Sequence, residues 1–358
     1  MSTSASDPTA MPAGIDHDNL VRWFDGAVGG LSGGSLTFDL ITGGRSNLTF
    51  MVSDGIAPED GGRRWVLRRP PMGHVLATAH DMAREHRIIS SLADSGVPVP
   101  GIIGLCNDED VNGAPFYVMD FVPGVIVRNV EEAEKVPVDV RSRMGESLVE
   151  VLARLHDVDL DAVGLSDLGR HEEYIDRQLK RWRTQFEKAT TREVPGVLET
   201  HEILASRVPV QQGAGIVHGD YRLDNCMMSA DGEVAAVLDW ELCTLGDVLA
   251  DVAGMIAYTD DRTTGGTPPP TSVDGFPTAD QIREAYARHS SRDLTHLDFY
   301  VAFAYWRIAC IVEGVYTRYA AGVMGDQDDP RLITVFGQRV LDLGQIAHEA
   351  ASRLPRVA

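Results

Sequence analysis

This 358-residue sequence lacks long hydrophobic runs, paired cysteines and a normal share of lysine. No stretch of about 18 consecutive apolar residues occurs, so the sequence predicts no membrane-spanning helix. The first 20 residues have neither a basic start nor an apolar core, so we expect no signal peptide. The four cysteines form no CxxC pair, which argues against a zinc site or a disulfide framework and predicts reduced thiols in the cytoplasm.

Positive charge is also scarce. The chain has 32 basic and 53 acidic residues, a formal net charge of −21, and its only lysines are Lys135, Lys180 and Lys188. Such a chain should repel nucleic acid and anionic membranes, so we expect neither as a partner, whereas a cationic ligand would be attracted. An acidic surface without any such ligand explains the charge equally well. Hydrophobic residues at 44% and charged residues at 24% are ordinary values for a globular protein.

The predicted elements change in character near residue 122. Before it, apolar and β-branched runs predict a small, mostly antiparallel sheet with strands at 35–41, 46–52, 64–69, 97–106 and 115–122, and helices at 17–31 and 78–95. After it, helical periodicity dominates, at 138–158, 170–189, 248–258, 278–291, 297–321 and 330–353. The composition of segment 263–277, which is rich in Gly, Pro and Thr, predicts a mobile loop. We therefore expect a β-rich domain at 1–122 and a helical domain at 123–358.

The strongest chemical signal is HGDYRLDN at 218–225, followed by VLDWE at 237–241. Phosphoryl transfer from ATP needs one carboxylate to accept the proton of the attacking hydroxyl. It also needs a second carboxylate and an amide oxygen to hold Mg²⁺ against the phosphates. Asp220, Asn225 and Asp239 supply these groups on a strand–loop–strand unit. The alternative is that they are turn and capping residues, which Asp and Asn also favour.

These motifs resemble the aminoglycoside phosphotransferase family, whose relatives are choline kinases and protein kinases, over roughly residues 35–345. The resemblance implies an α+β, protein-kinase-like bilobal fold with a small β-rich N-terminal lobe, a larger helical C-terminal lobe and ATP in the cleft. It also implies ATP and Mg²⁺ as cofactors. By the same resemblance Asp220 is the catalytic base, His218 braces the loop, and Asn225 and Asp239 are the Mg²⁺ ligands.

The segment TGGRSNLTF (42–50) closes the first predicted hairpin, where the family has its nucleotide loop. Its two glycines permit a tight turn whose backbone amides could face phosphates. Gly44, Arg45, Ser46 and Asn47 are therefore candidate nucleotide-binding residues. A plain hairpin turn would have the same sequence.

Kinases place a lysine on the third strand, paired with a helix glutamate, but no lysine lies there in this chain. The run WVLR (65–68) has the spacing of that strand with Arg68 in the lysine position. Strand alternation separates Arg68 from Arg69. We expect Arg68 to contact the phosphates and Glu85 to be its partner. An ordinary surface ion pair is the alternative.

Two further stretches resemble family elements. FYVMDFVPG (116–124) resembles the hinge between kinase lobes, which implies Met119 as gatekeeper and backbone groups of Asp120 and Val122 as adenine contacts. A buried edge strand without a ligand is the alternative. In LGDVLADVA (245–253) we expect Asp247 to cap a helix and Asp251 to brace the catalytic loop.

The expected function is transfer of phosphate from ATP to a small-molecule hydroxyl. Stretches such as GAPFYVMDFVPG and LDWELCTLGDVLADVA are most similar to the kinase-like domain fused to some eukaryotic acyl-CoA dehydrogenases, which implies a hydroxyacyl-CoA as the alternative acceptor. An acidic cleft would favour an aminoglycoside, and clustered arginines would favour the anionic acyl-CoA; Arg262, Arg307 and Arg318 are the candidates. A pseudokinase that only binds nucleotide is the non-enzymatic alternative, and the sequence gives no oligomeric state.

Overall fold

The structure is a computed structural model that describes residues 12–31, 36–41, 47–72, 81–264, 267–322 and 330–355. The chain divides into two compact units, Met1–Pro123 and Gly124–Ala358. This division falls one residue after the boundary predicted between residues 122 and 123. The first unit is built on a sheet, and the second is mostly helical.

Five antiparallel strands form the sheet of the first unit, in the order β1-β2-β3-β5-β4. The strands are β1 Thr37–Leu40, β2 Leu48–Ser53, β3 Arg64–Arg69, β4 Ile102–Cys106 and β5 Phe116–Asp120. The helices are α1 His17–Ala27, α2 Met82–Leu92 and the short α3 Glu109–Asn112. All five strands and the two longer helices agree with the sequence prediction to within a few residues at each end, while α3 is absent from that prediction.

One face of this sheet packs against α1. Trp65 and Leu67 of β3 are buried in one cluster with Leu20 and Phe24 of α1, and the rings of Phe24 and Trp65 are 5.5 Å apart. Burying an apolar side chain of this size contributes roughly 1.5–3 kcal/mol. Because successive side chains on a strand alternate between faces, this packing sends Arg68 to the face opposite α1.

The second unit contains eight helices and two antiparallel ribbons among its described residues. The helices are α4 Val130–Glu134, α5 Val138–His156, α6 Tyr174–Ala189, α7 Val197–Ala205, α8 Leu249–Ala257, α9 Ala279–His289, α10 Leu297–Ala320 and α11 Pro330–Ser352. One ribbon pairs β6 Gly215–Val217 with β9 Thr244–Gly246, and the other pairs β7 Cys226–Met228 with β8 Val234–Val237. The residues between these strands hold the motifs predicted to carry the chemistry.

Helix α10 is the core helix of the second unit. Most of its length is buried, and it contacts α6, α7, α8 and α11. Within the described part of the chain it is the one helix long and apolar enough to cross a membrane by length and composition, but 67% of its most apolar window is buried inside the protein. Burial of this kind is typical of the central helix of a globular domain.

Two helices of the second unit, α4 and α7, are absent from the sequence prediction. Helix α7 starts after Gly196, which has φ +85° and whose N–H donates to Glu199 Oε2 at 3.1 Å. Its buried face consists of Val197, Thr200, His201 and Leu204. Because two of these four residues are polar, the face gives no clear apolar stripe in the sequence.

The segment 263–277 is irregular as predicted, apart from the short helical turns Asp261–Thr264 and Pro270–Ser272. Residues 265 and 266 lie outside the described residues. Thr263 and Phe276 are buried at its two ends, and the Thr263 hydroxyl donates to Ala257 O at 2.7 Å. Its ends are therefore fixed to the helical unit.

Candidate functional site

The predicted catalytic loop lies between β6 and β7. His218 at its start is fully buried, and its ring packs 4.9 Å from Trp240. The Nδ1 atom of His218 accepts from the N–H of Asp220 at 3.3 Å, and Nε2 donates to Leu238 O at 2.9 Å. With one ring nitrogen accepting and the other donating, these two contacts fit the Nε2–H tautomer. His218 thus joins the loop to the residue that precedes Asp239.

The carboxylate of Asp251, on α8, binds two backbone N–H groups at the start of the same loop. Its two carboxylate oxygens accept the N–H of His218 at 2.6 Å and of Gly219 at 2.9 Å. Burial alone would raise the pKa of Asp251, but the adjacent His156, whose Nε2 lies 3.6 Å away, and the loop amide of Gly219 together lower it below the ordinary value. A buried ionised carboxylate therefore anchors two backbone amides of the loop, as charge-assisted hydrogen bonds do.

Asp220 and Asn225 contact each other across the loop. The Nδ2 atom of Asn225 donates to the backbone oxygen of Asp220 at 2.8 Å and to its Oδ2 at 2.9 Å. Both side chains are half-buried. These bonds use the donor end of the Asn225 amide, which leaves its Oδ1 as the end suited to a cation. They also fix the Asp220 carboxylate through one oxygen, with Oδ1 as the second acceptor.

Asp239 follows β8 in a left-handed backbone conformation, with φ +62° and ψ +65°. The N–H of Leu238 donates to Asn225 O at 2.9 Å, so the backbone at Asp239 is tied to that of Asn225. This bond brings the backbone of the two residues predicted to hold Mg²⁺ close together. A carboxylate and an amide oxygen are hard ligands of the type that Mg²⁺ prefers, with phosphate oxygens and water completing the shell, so these residues fit the ion.

A cavity of about 140 Å³ opens beside Asp220. Its lining includes Asp220, Asp251, Tyr258 of the segment after α8, and Arg307 of α10. The Arg307 guanidinium donates to Gly219 O, next to Asp220. Sequence reasoning named Arg307 only as one of three scattered arginines, and it did not find Tyr258. This part of the lining could have been predicted from helical spacing, because its residues on α10 recur every three or four positions: Ala304, Arg307, Ile308 and Ile311.

In the first unit, Glu85 of α2 is the centre of a buried polar cluster. Its carboxylate lies 3.0 Å from the Nε of Arg68, accepts from Tyr117 Oη at 3.0 Å and accepts from Asn47 Nδ2 at 3.2 Å. The Arg68–Glu85 pair predicted from the strand pattern is thus present in the structure. Asn47, predicted for nucleotide contact, is 5% exposed and uses its amide on Glu85. That contact makes Asn47 a support for Glu85 in this structure. The other predicted loop residues, Gly44, Arg45 and Ser46, lie outside the described residues.

Arg69 is on the other face of β3, as alternation predicts, but it is not a dispensable surface residue. It is 4% exposed, and its guanidinium donates to the backbone oxygens of Gly14, Asn112 and Pro70. Burial lowers the pKa of Arg69. We therefore expect replacement of Arg69 to lower the stability of the fold, while its effect on nucleotide binding stays a prediction.

The predicted hinge residues lie at the end of β5. Met119 is 8% exposed and stands opposite Val66 of β3 and Ile102 of β4. The N–H of Asp120 donates to Gly101 O at 2.8 Å, which leaves its carbonyl as the group that could serve adenine. Val122 is half-buried. The adenine-binding roles of Met119, Asp120 and Val122 stay predictions.

The remaining motif residues have structural contacts. Asp247 accepts from Tyr300 Oη at 2.6 Å and from Leu249 N at 3.3 Å, so it binds the start of α8 without being its N-cap, which is Val248. All four cysteines are free and buried, and burial raises the pKa of the Cys226 thiol to about 12. Such a thiol is not a nucleophile.

Comparison with known proteins finds similarity over most of the chain. The model of the phosphotransferase enzyme family matches residues 37–300. The chain is 35% identical over 322 residues to acyl-CoA dehydrogenase family member 10 of Mus musculus, a match that covers 88% of this chain and 30% of that protein. It is 34% identical to family member 11 of Gallus gallus, over 81% of this chain and 38% of that protein. The chain thus spans about a third of the length of these curated relatives.

Solved structures share the fold. A crystal structure from Ralstonia eutropha JMP134, provisionally assigned as an aminoglycoside phosphotransferase, has a TM-score of 0.78 and 29% identity, over 94% of this chain and 98% of that one. The GDP complex of aminoglycoside 2'-phosphotransferase-IIIa has a TM-score of 0.61 over 93% of this chain and 99% of that one, and at 14% identity it supports the fold alone. The predicted α+β, protein-kinase-like fold is therefore confirmed.

Proposed function

Because the chain belongs to the phosphotransferase enzyme family, we propose that it transfers the terminal phosphoryl group of ATP, with Mg²⁺, to a hydroxyl group of a small molecule. The observation that carries the proposal is the joint placement of Asp220, Asn225 and Asp239. Hydrogen bonds join Asn225 to Asp220, and join Leu238, which precedes Asp239, to the backbone of Asn225, while His218 and Asp251 anchor the start of the loop. Phosphoryl transfer depends mainly on positioning and electrostatic stabilisation, which such a rigid arrangement provides.

Each residue has one role in this proposal. Asp220 accepts the proton of the acceptor hydroxyl through the oxygen that Asn225 does not use. Asn225 Oδ1 and the Asp239 carboxylate would hold Mg²⁺, which when bound neutralises charge on the phosphate oxygens. The Arg307 guanidinium, bonded to Gly219 O, adds a positive charge beside the cavity where the acceptor would lie.

The first unit supplies the nucleotide contacts in the same proposal. Arg68 would grip phosphates in place of the usual lysine, with Glu85 fixing its position at 3.0 Å, and its planar fork suits phosphate oxygens. Backbone groups near Met119, Asp120 and Val122 would contact the base, and the segment with Gly44, Arg45 and Ser46 the phosphates. Similar solved phosphotransferases include complexes with GDP and with ATP, which supports nucleotide use and leaves both nucleotides to be compared.

The next part of the proposal concerns which molecule accepts the phosphoryl group. Similar proteins of the same fold have been solved with kanamycin and streptomycin, which are aminoglycosides. Two of the three candidate arginines, however, line cavities of the second unit: Arg307 beside Asp220, and Arg318 farther along α10. Arg262 instead pairs with Asp260. Arginines along a mostly apolar wall favour an anionic acceptor over a polycation, so a hydroxyacyl-CoA is the second candidate that a specific observation supports.

The chain matches only about a third of its acyl-CoA dehydrogenase relatives, so the proposal includes no dehydrogenase chemistry. Four free, buried thiols suit a reducing compartment, and we place the proposed activity in the cytoplasm.

Binding of Mg²⁺–ATP is the first test of the proposal. A nucleotide at about 100 times its dissociation constant should stabilise the folded chain by about 2.7 kcal/mol, which a thermal-shift measurement detects. We expect the shift to require Mg²⁺, and a parallel titration with GTP ranks the two nucleotides. Absence of any Mg²⁺-dependent shift would contradict the proposal. Binding without ATP turnover, even at high enzyme concentration, would instead support a nucleotide-binding pseudokinase.

A further inference from the structure

A second cavity of about 530 Å³ lies between α6 and α10 in the second unit. Its walls include Trp182 and Ala189 of α6, and Ile311, Gly314 and Arg318 of α10. Among the residues that the structure describes, those that line it include no carboxylate, and most of them are apolar. Neither the catalytic residues nor the nucleotide contacts of the proposed function use this space.

The second cavity adjoins the cavity beside Asp220. Ile311 lines both, and Trp182 of the second cavity lies under the guanidinium of Arg307 of the first, 5.8 Å from it. Residues 304, 307, 308, 311, 314 and 318 of α10 recur every three or four positions, so they follow one face of the helix. From Arg307 to Arg318 this face extends roughly 16 Å at 1.5 Å per residue. We call the two adjoining cavities together the α10 groove.

The charges along the α10 groove are asymmetric. Asp220 is at the catalytic end, Arg307 stands next to it, and the exposed Arg318 is at the far end. Between them the wall is formed by Ile308, Ile311 and the face of Trp182. Away from Asp220 and Asp251, a polycationic acceptor would meet two arginines and an apolar wall, and ammonium groups there would lose water without a partner. An apolar chain with an anionic end matches the groove in both polarity and charge.

We propose that the α10 groove binds the part of the acceptor remote from the reacting hydroxyl, as an unbranched apolar chain whose anionic end reaches Arg318. This inference rests on the proposed phosphotransferase function. It adds that acceptor chain length is selected by the second unit, and that Gly314 is a specificity-determining residue. A Cβ atom at Gly314 would have only one heavy atom nearby, the Arg318 Nη1 at 4.0 Å, so the glycine leaves open space where the chain would pass.

A homologous series of straight-chain hydroxycarboxylates, differing by one methylene, tests this by calorimetry with Mg²⁺ and a non-hydrolysable ATP analogue present. We expect affinity to rise about 4-fold per methylene until the groove is filled, which is the usual effect of burying a methylene. Gly314→Leu fills the groove and should end the rise at a shorter chain. Leucine is the better helix former, so the fold is expected to survive.

Arg318→Gln tests the anionic end. Because Arg318 is exposed, replacing it should cost roughly 2- to 5-fold in affinity for the long carboxylates and nothing for diols of equal length. Gly26→Leu, at an exposed helical glycine with open space around it, and Arg353→Gln, at an exposed arginine directly after α11, are the matched controls and should keep the wild-type profile.

The outcomes separate this inference from the proposed function. If the wild-type chain does not bind Mg²⁺–nucleotide, the proposed function fails. If it does bind nucleotide but shows no dependence on chain length, or if Gly314→Leu keeps the wild-type length profile, the groove assignment is wrong while the phosphotransferase proposal stands. A shortened length profile in Gly314→Leu alone, with Gly26→Leu unchanged, supports the groove.

Discussion

At the scale of single residues, the two aspartates of the proposed site, Asp220 and Asp239, differ in backbone conformation and in hydrogen-bond partners. Asp220 shares a hydrogen bond with Asn225, whereas Asp239 is held at φ +62° by the chain that follows β8. Non-glycine residues with positive φ are uncommon, and Asp and Asn are the types that tolerate this region best. A left-handed aspartate directly after a strand is a backbone feature that tends to occur at functional sites.

This difference predicts that replacing each aspartate by asparagine changes turnover and nucleotide binding in a different way. Asp220→Asn keeps the shape and the bond from Asn225 but removes the proton acceptor, so turnover should fall ~10²–10⁴-fold with nucleotide affinity nearly unchanged. Asp239→Asn tolerates the same backbone but removes a negative ligand, so Mg²⁺–nucleotide binding should weaken as well. Calorimetry and an ATP hydrolysis assay give the two readouts.

The exposed Asp231 in the turn between β7 and β8 is a matched control, and Asp231→Asn should change neither readout. Normal ATP hydrolysis by Asp220→Asn would show that Asp220 is not the base. Equal losses of nucleotide affinity in both variants would show that the two roles are not separate.

At the scale of elements, the two adjacent arginines of strand β3 lie on opposite faces of the sheet and have different partners. Arg68 faces Glu85 of α2, and Arg69 is buried on the α1 side, bonded to backbone oxygens that include that of Asn112. The alternation follows directly from the pleat of a strand. The packing of Trp65 and Leu67 against α1 determines which residues of β3 face that helix. A shift by one residue would bury Arg68 there and expose the apolar pair.

Replacing Arg68 should therefore mainly affect nucleotide affinity, and replacing Arg69 should mainly affect the free energy of unfolding. Arg68→Ala should weaken Mg²⁺–ATP binding by ~10- to 100-fold, the effect of one or two charge-assisted hydrogen bonds, while Arg68→Lys should retain most of it. Arg69→Ala should leave nucleotide affinity of the folded protein largely intact but lower the free energy of unfolding by about 1–3 kcal/mol, because buried backbone oxygens lose their donor. Thermal unfolding and nucleotide titration on the same preparations distinguish them, and a stable Arg69→Ala that no longer binds nucleotide would reverse the assignment.

At the scale of the whole molecule, acid sensitivity follows from buried histidines more than from the net charge of −21. Burial lowers the pKa of His156 below its usual 6.5, although the nearby Asp251 opposes the shift. Arg292 also disfavours the charged imidazole, and the Nδ1 atom of His156 contacts the Tyr286 hydroxyl at 2.8 Å. Burial likewise lowers the pKa of His86 and His201.

The free energy of unfolding should consequently decrease as pH falls below about 6.5, because the unfolded chain then binds protons that the buried imidazoles do not. Thermal unfolding followed between about pH 7 and 5 should show this decline. His156→Gln should make it shallower, since one of the contributing groups is removed. His296→Gln, at an exposed histidine, serves as the control and should keep the wild-type slope; a His156→Gln slope equal to wild type would contradict the argument.

The sequence by itself determined the short-range features. Asp220 and Asn225 are five positions apart in one loop, and β3 places Arg68 by alternation, so both follow from local chain geometry. Element types were predictable where apolar periodicity was long, as in α5 and α10. Where a buried face contains polar residues, as in α7, the pattern alone did not reveal the helix.

Only the tertiary structure decided how distant residues support and surround the site. Asp251 reaches the amides of His218 and Gly219 from more than 30 residues away, and Arg307 reaches the carbonyl of Gly219 from 88 residues away. The α10 groove requires α6 and α10 to pack side by side, which no local pattern specifies. Such contacts depend on which buried faces meet when the core closes, and that choice is made by the packing of the whole unit rather than by the spacing of residues along the chain.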